Sequence, residues 1–209
     1  MLRCSAQCIH PVFCMAETVN LQMVGDLILD EPQPDQLFDL AREQLKSGDV
    51  LVGHVEVPHT SRGRQMNFDV PAPASDPANL AALARAGFRV ATLAGNHIAD
   101  AGPEGVTDTV SELQRIGIQT TGAGATLAMA RRPAILERRG IRIGVLSYNC
   151  VGPRESWAGA SRAGCAYIHV LTHYELNYAS PGGPPEVYTF ADPSSLEAMI
   201  ADIEELRPT

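Results

Sequence analysis

The chain has 209 residues, 45% of them hydrophobic and 19% charged, which is enough to bury one substantial core and makes a single domain the expectation. A formal net charge of −8 and a pI near 5.2 exclude a non-specific nucleic-acid binder, because neutralising phosphates takes clustered lysine and arginine. An anionic substrate would need a local positive centre, and a bound cation supplies one.

No apolar run approaches the roughly 20 residues needed to cross a bilayer. The opening MLRCSAQCIHPVFC has a single Lys/Arg residue and a short, interrupted apolar stretch, a poor secretory signal. Cys4, Cys8, Cys14, Cys150 and Cys165 show no zinc-pair spacing, so they read as free thiols in a reducing, cytoplasmic compartment. Residues 1–17 are expected to be a disordered N-terminal extension, and Met15 is as good a start as Met1. Residues 18–209 are expected to form the folded part.

Along that part, TVNLQMVGDLIL alternates Val19, Leu21 and Met23 against Asn20 and Gln22, then turns continuously apolar around Gly25 and Asp26, as a strand entering a core does. PDQLFDLAREQLKSGD predicts a helix burying Leu37, Leu40, Ala41 and Leu45 and stopping at Gly48. DVLVGHVEVP is a second buried strand ending near Glu56. Residues 59–75 have no period and predict a long loop. A short helix follows over 76–87, with Asp76 as N-cap, Pro77 in the first turn and Gly87 as terminator. FRVATLAGN is the third strand.

The helix GPEGVTDTVSELQRIG then turns Val106, Val110 and Leu113 inward and ends at Gly117. Strands IQTTG, PAILE and IRIGVLSYN come next, the last two joined at Arg138–Gly140. Residues 151–190 read as loop-rich, and the helix DPSSLEAMIADIEELR closes the chain behind Asp192 and Pro193. Alternating strands and helices predict an α/β fold with polar residues at strand ends. An amphipathic helix where another strand is due gives the look of a domain cut short.

Three strand ends carry chemistry: Asp26, Glu56, and Asn96 with His97 in LAGNHIADAG. Oxygen donors with an imidazole suit a divalent cation such as Mn, Fe, Zn or Mg. Gly95 allows a sharp turn, and the Asn96 carbonyl is a cation ligand in type. If Asp100 holds one ring nitrogen of His97, the other is free to protonate a leaving oxygen or bind a phosphate oxygen. The alternative is a surface turn in which Asn96 only supplies the backbone geometry.

MVGDLIL, VGHVEVP, TLAGNHIADAGPEGVTDTVSELQRIGIQTTGAG, ARRPAILERRGIRIGVLSY and THYELNYASPGGPP together resemble the CapA family of bacterial capsule and poly-γ-glutamate synthesis proteins. That family belongs to the calcineurin-like metallophosphoesterase superfamily. The resemblance spans residues 18–207 and implies a two-sheet sandwich with flanking helices and a dinuclear metal site. It assigns Asp26, Glu56 and Asn96 to the metal and His97, with Asp100 behind it, to catalysis. His54 stands where the family usually has asparagine, either as a substitute ligand or simply as bulk near the site. The superfamily's later histidine motifs have no counterpart before Thr209, so residues 18–209 are expected to be the N-terminal part of such a domain, with a partial metal shell and an exposed sheet edge or apolar face that favours oligomers.

The implied function is metal-assisted hydrolysis of a phosphoester, complete only with the later ligands. The rival is a non-catalytic accessory subunit that binds poly-γ-glutamate or its synthase, and a truncated reading frame without function is a third reading. TGAGATL lacks the third glycine of a dinucleotide loop. His169 and His173 lie in an extended stretch and read as loop or substrate-side residues rather than ligands, with Tyr174, Glu175 and Tyr178 as candidate pocket residues.

Overall fold

The computed structural model describes residues 18–66 and 72–207. The extension expected at residues 1–17, with Cys4, Cys8, Cys14 and Met15, lies outside the described residues. Four strands, β1 (Leu21–Leu27), β2 (Val50–Val55), β3 (Val90–Thr92) and β4 (Gln119–Thr121), form a parallel sheet in the order β1-β2-β3-β4. Parallel neighbours need crossovers, and helical segments supply them: α1 (Arg42–Leu45), α2 (Ala81–Ala86) and α3 (Gly102–Arg115). The expected mixed α/β architecture with flanking helices is therefore present.

Beyond β4 come the two-residue strand β5 (Ala123–Gly124), one helical turn α4 (Leu127–Ala130), and the hairpin β6 (Ala134–Arg138)–β7 (Ile141–Val145). Arg139 and Gly140, at φ 51° and 73°, make its two-residue turn, the left-handed pair such a turn demands. The TGAGATL stretch is thus β5 followed by a turn whose N-cap, Thr126, accepts from the Met129 amide at 3.3 Å.

Period two along β2 sorts the core. Leu51 and Val55 join Leu83, Phe88, Leu93, Ile98, Val106 and Leu113 under the helices. Val50 and Val52 face the other way and pack with Val90, Ala134 and Val145, so the β6–β7 hairpin covers the second face. β1 is an edge strand with Leu21 and Met23 exposed, which limits its burial to one side.

Two expectations are corrected. The segment over residues 34–49 is not one helix but a 3₁₀ turn, Pro34–Phe38, and the short α1. Leu37 and Leu40 are exposed, while Phe38 is buried with its ring 5.6 Å from that of Phe88. The larger aromatic area takes the core position, and Leu37 and Leu40 turn to solvent while Leu45 packs partly against the core as expected. Residues 151–190 are not merely loop. They carry β8 (Gly164–Cys165), antiparallel to β5, and an antiparallel hairpin of β9 (Val170–Glu175) and β10 (Glu186–Ala191).

That hairpin leads into α5 (Pro193–Leu206), capped by Asp192 as expected. Tyr174, Val187, Tyr188 and Phe190 on the hairpin are all exposed. Cys150 and Cys165 are free thiols.

The stem of the 59–75 loop is tied down at His59, whose backbone N–H donates to Thr109 Oγ1 at 2.7 Å and whose Nδ1 meets the Val57 carbonyl at 3.0 Å. Burial pushes this imidazole down to about 4, so it packs as a neutral ring. The contrast at residues 38 and 40 is testable by chemical denaturation. Phe38→Ala is expected to cost about 3–5 kcal/mol, and Leu40→Ala about 0.5 kcal/mol or less; equal costs would contradict this packing.

Candidate metal centre

The site forms where β1, β2 and β3 end. Along the β1–β2 pair Val24 sits opposite Gly53, but Asp26 sits opposite His54, so Gly25 is one residue extra on β1. Side chains alternate between faces, and without this bulge Asp26 would fall opposite Val55, on the helix side. The bulge brings it onto the face of His54 and Glu56. An added Cβ at Gly25 would meet nothing within 4 Å, so the space around the bulge is open.

Asp26, His54 and Glu56 each offer a ligand atom, and the three atoms lie within 4.8 Å of one another. His54 Nε2 is 3.3 Å from Glu56 Oε2. Its Nδ1 is 3.1 Å from Thr92 Oγ1, whose hydroxyl donates to the Gly53 carbonyl at 3.4 Å. In the tautomer this chain of bonds selects, Nδ1–H is spent on Thr92 and the Nε2 lone pair faces the carboxylates. Metal-binding histidines are held in the same way.

Glu56 is held above the usual carboxylate range, first by burial and then by the charge of Asp26; His54 and His97 pull the other way. The two carboxylates repel each other, and a divalent cation would turn both contacts attractive with His54 Nε2 as a third donor. The donor set of two carboxylates and one imidazole fits Mn, Fe or Zn in type.

The turn after β3 completes the arrangement. Ile98, fully buried, anchors it in the main core, with Ala99 and Ala101 beside it. A Cβ at Gly95 would stand 2.8 Å from His54 Nε2, so only glycine lets this backbone lie against the ring. His97 Nδ1 is 2.7 Å from Asp100 Oδ2, and its Nε2 is 4.0 Å from Glu56 Oε1. Asp100 is buried, and the same Oδ2 accepts the Ala72 amide at 2.7 Å while its carbonyl accepts the Met66 amide at 2.6 Å. Both described flanks of the 59–75 loop are thus pinned to the residue that orients His97.

Of the residues singled out from sequence, Asp26 and Glu56 meet, and His97 joins them through Glu56. Asn96 enters from the same turn and is half-buried; a Cβ on Gly152 would lie 2.3 Å from its own Cβ, so residues 149–154 wall this side. For His54 sequence reasoning leaves open a substitute ligand or bulk near the site, and the structure makes it a member of the cluster. The signal was present in the alternation of residues 50, 52, 54 and 56.

A parallel sheet with acidic and imidazole groups gathered at its carboxyl ends defines an α/β protein with a site suited to a divalent cation. The chain belongs to the family described as bacterial capsule synthesis protein PGA_cap, which matches residues 20–209. It is 46% identical over 86 residues to a probable polyglutamine synthesis accessory protein of Mycobacterium tuberculosis strain H37Rv, covering 39% of this chain and 22% of that one. It is also 24% identical over 144 residues to the capsule biosynthesis protein CapA of Bacillus anthracis, covering 63% of this chain and 35% of that one. The chain therefore spans only about a fifth to a third of the curated relatives it matches. No helix among the described residues is long and apolar enough to cross a membrane.

The raised Glu56 gives a signed prediction. A carboxyl held high in the fold favours the folded state at low pH, and that contribution is lost as pH rises through its folded value. Metal-free wild-type protein is expected to lose stability over that range and Glu56→Gln to keep it. At neutral pH the metal-free variant should melt at a higher temperature than the metal-free wild type. Mn²⁺ at about a hundred times its Kd should stabilise wild type by roughly 2.7 kcal/mol and the variant hardly at all. Equal Mn²⁺ shifts in a melting experiment would remove Glu56 from the site.

Proposed function

We propose that this chain carries the metal-binding part of a metallophosphoesterase-type site that hydrolyses a phosphoester in the service of capsule or poly-γ-glutamate synthesis. The observation behind this reading is the convergence of Asp26, His54 and Glu56 within 4.8 Å at the strand ends. These three residues, with Asn96 as the amide oxygen donor of the adjoining turn, would hold one or two divalent cations. A divalent cation held by these residues would supply Lewis acidity toward a phosphoryl oxygen and toward water.

The protein's own residues have distinct tasks. Asp100 fixes the His97 ring through Nδ1, and Nε2 stands 4.0 Å from Glu56 Oε1, beside the carboxylate cluster. From there His97 donates a hydrogen bond or a proton to the oxygen that leaves. The family's two-sheet sandwich accords with the β6–β7 hairpin packed across the second face of the parallel sheet. A cytoplasmic location accords with the free thiols of Cys150 and Cys165.

A second reading is favoured by a relative's name, an accessory protein, and by the exposed aromatic and aliphatic side chains of the β9–β10 hairpin. In it the chain is non-catalytic and binds poly-γ-glutamate or its synthase, or associates with itself through the β1 edge.

Mn²⁺-dependent hydrolysis of a chromogenic phosphodiester, measured on a chain that also carries the family's later histidine motifs, separates the two. His97→Ala is expected to lower the rate by roughly 10²–10⁴-fold with metal binding retained. Unchanged turnover would take His97 out of the mechanism, and no metal-dependent turnover by the wild type would favour the accessory role.

A further inference from the structure

A second pocket lies between α5 and the segment around the 3₁₀ turn Arg154–Ser156, with a volume of about 390 Å³. Its lining includes Arg154, Trp157, Tyr167, His169, Arg131 and Asp192. Trp157 is stacked on Tyr167, centroids 4.1 Å apart and planes at 7°, and the edge of His169 meets it at 5.2 Å. The Arg154 guanidinium lies over the Trp157 ring at 5.6 Å, and its Nη2 donates to His169 Nε2 at 2.9 Å. Stacking on an aromatic face and donating to an imidazole fixes the plane of a guanidinium without neutralising it.

The nearby carboxylates are committed elsewhere. Asp192 accepts from the Ser194 hydroxyl at 2.6 Å and the Ser195 amide at 3.1 Å, capping α5. Asp202 is held by both arms of Arg131 at 2.7 Å. Arg154 has no carboxylate within ion-pair distance among the described residues, and the Trp157 indole N–H is buried with no acceptor. A positioned cation thus faces this cavity in a protein of net charge −8.

We propose that this pocket binds a carboxylate group of an acidic ligand, with Arg154 as its anchor. The guanidinium fork matches the two oxygens of a planar carboxylate. Arg131 is paired with Asp202 and Asp192 lies in the same lining as Arg154, so the pocket holds no excess positive charge, and a monoanionic carboxylate adds less unbalanced charge than a phosphate dianion. The segment that carries Arg154 also packs Gly152 against Asn96, so the pocket adjoins the wall of the metal centre yet is built from different residues. The proposal does not depend on hydrolysis.

Trp157 is the only tryptophan in the chain, so its fluorescence reports on this pocket alone. Metal-free protein is titrated with sodium glutarate and with a γ-linked glutamate oligomer, against sodium phosphate and sodium chloride at equal ionic strength. Saturable changes are expected with both carboxylate probes, tighter for the oligomer if the natural source is a polymer and equal if it is a small acid. Arg154→Gln is expected to weaken binding at least tenfold. Arg154→Lys should also weaken it, because a point charge lacks the fork. Saturation by phosphate alone, responses no different from chloride, or wild-type affinity in Arg154→Gln would each overturn the proposal, whatever the hydrolysis assay gives.

Discussion

Repulsion between Asp26 and Glu56, gathered with His54 at one point, is the constraint around which this end of the molecule is built. Like charges scatter when nothing holds them, and here each is held by an element with another reason to be rigid. β2 is buried on both faces and fixes His54 and Glu56 two residues apart on one side of the sheet. The bulge at Gly25 rotates Asp26 to the same side. Thr92 then sets the His54 tautomer. The fold spends its order on keeping together two carboxylates that would separate in the absence of a counter-charge.

The Gly95–Asp100 turn extends this preorganisation outward. Ile98 ties it to the hydrophobic core, and the Asp100 carboxylate is shared between the His97 ring and the Ala72 amide. His97 is therefore oriented by a buried acid that also fastens the loop. A disturbance of that loop would reach the imidazole through one oxygen atom. The covered second face of the sheet matters in the same way, because Val50, Val52 and Val90 beneath the β6–β7 hairpin immobilise the strands whose ends carry the site.

Much of this was legible in the sequence where a residue's local pattern and its tertiary role coincide. The capped helices at Asp76 and Asp192, the inner face of α3 and the buried strand β2 all follow from local chemistry that packing then used. Phe38 was missed because several apolar residues compete for one face and the winner depends on Phe88, 50 positions away. The β9–β10 hairpin was missed because the proline and glycine between its strands mask the alternation on either side. Asp26 and Glu56 were readable as strand-end acids. The bulge that brings them together was not, since a glycine within a strand hints at irregularity but register belongs to the pair of strands. His54 was legible in type and spacing, and only the bond to Thr92 shows that its free nitrogen points inward.

Anomalous X-ray scattering at the manganese edge, from crystals grown with Mn²⁺, tests the central claim most directly. The account predicts a peak within coordination distance of Asp26, His54 and Glu56. A peak elsewhere, or carboxylates of residues 26 and 56 that diverge with no metal between them, would contradict it.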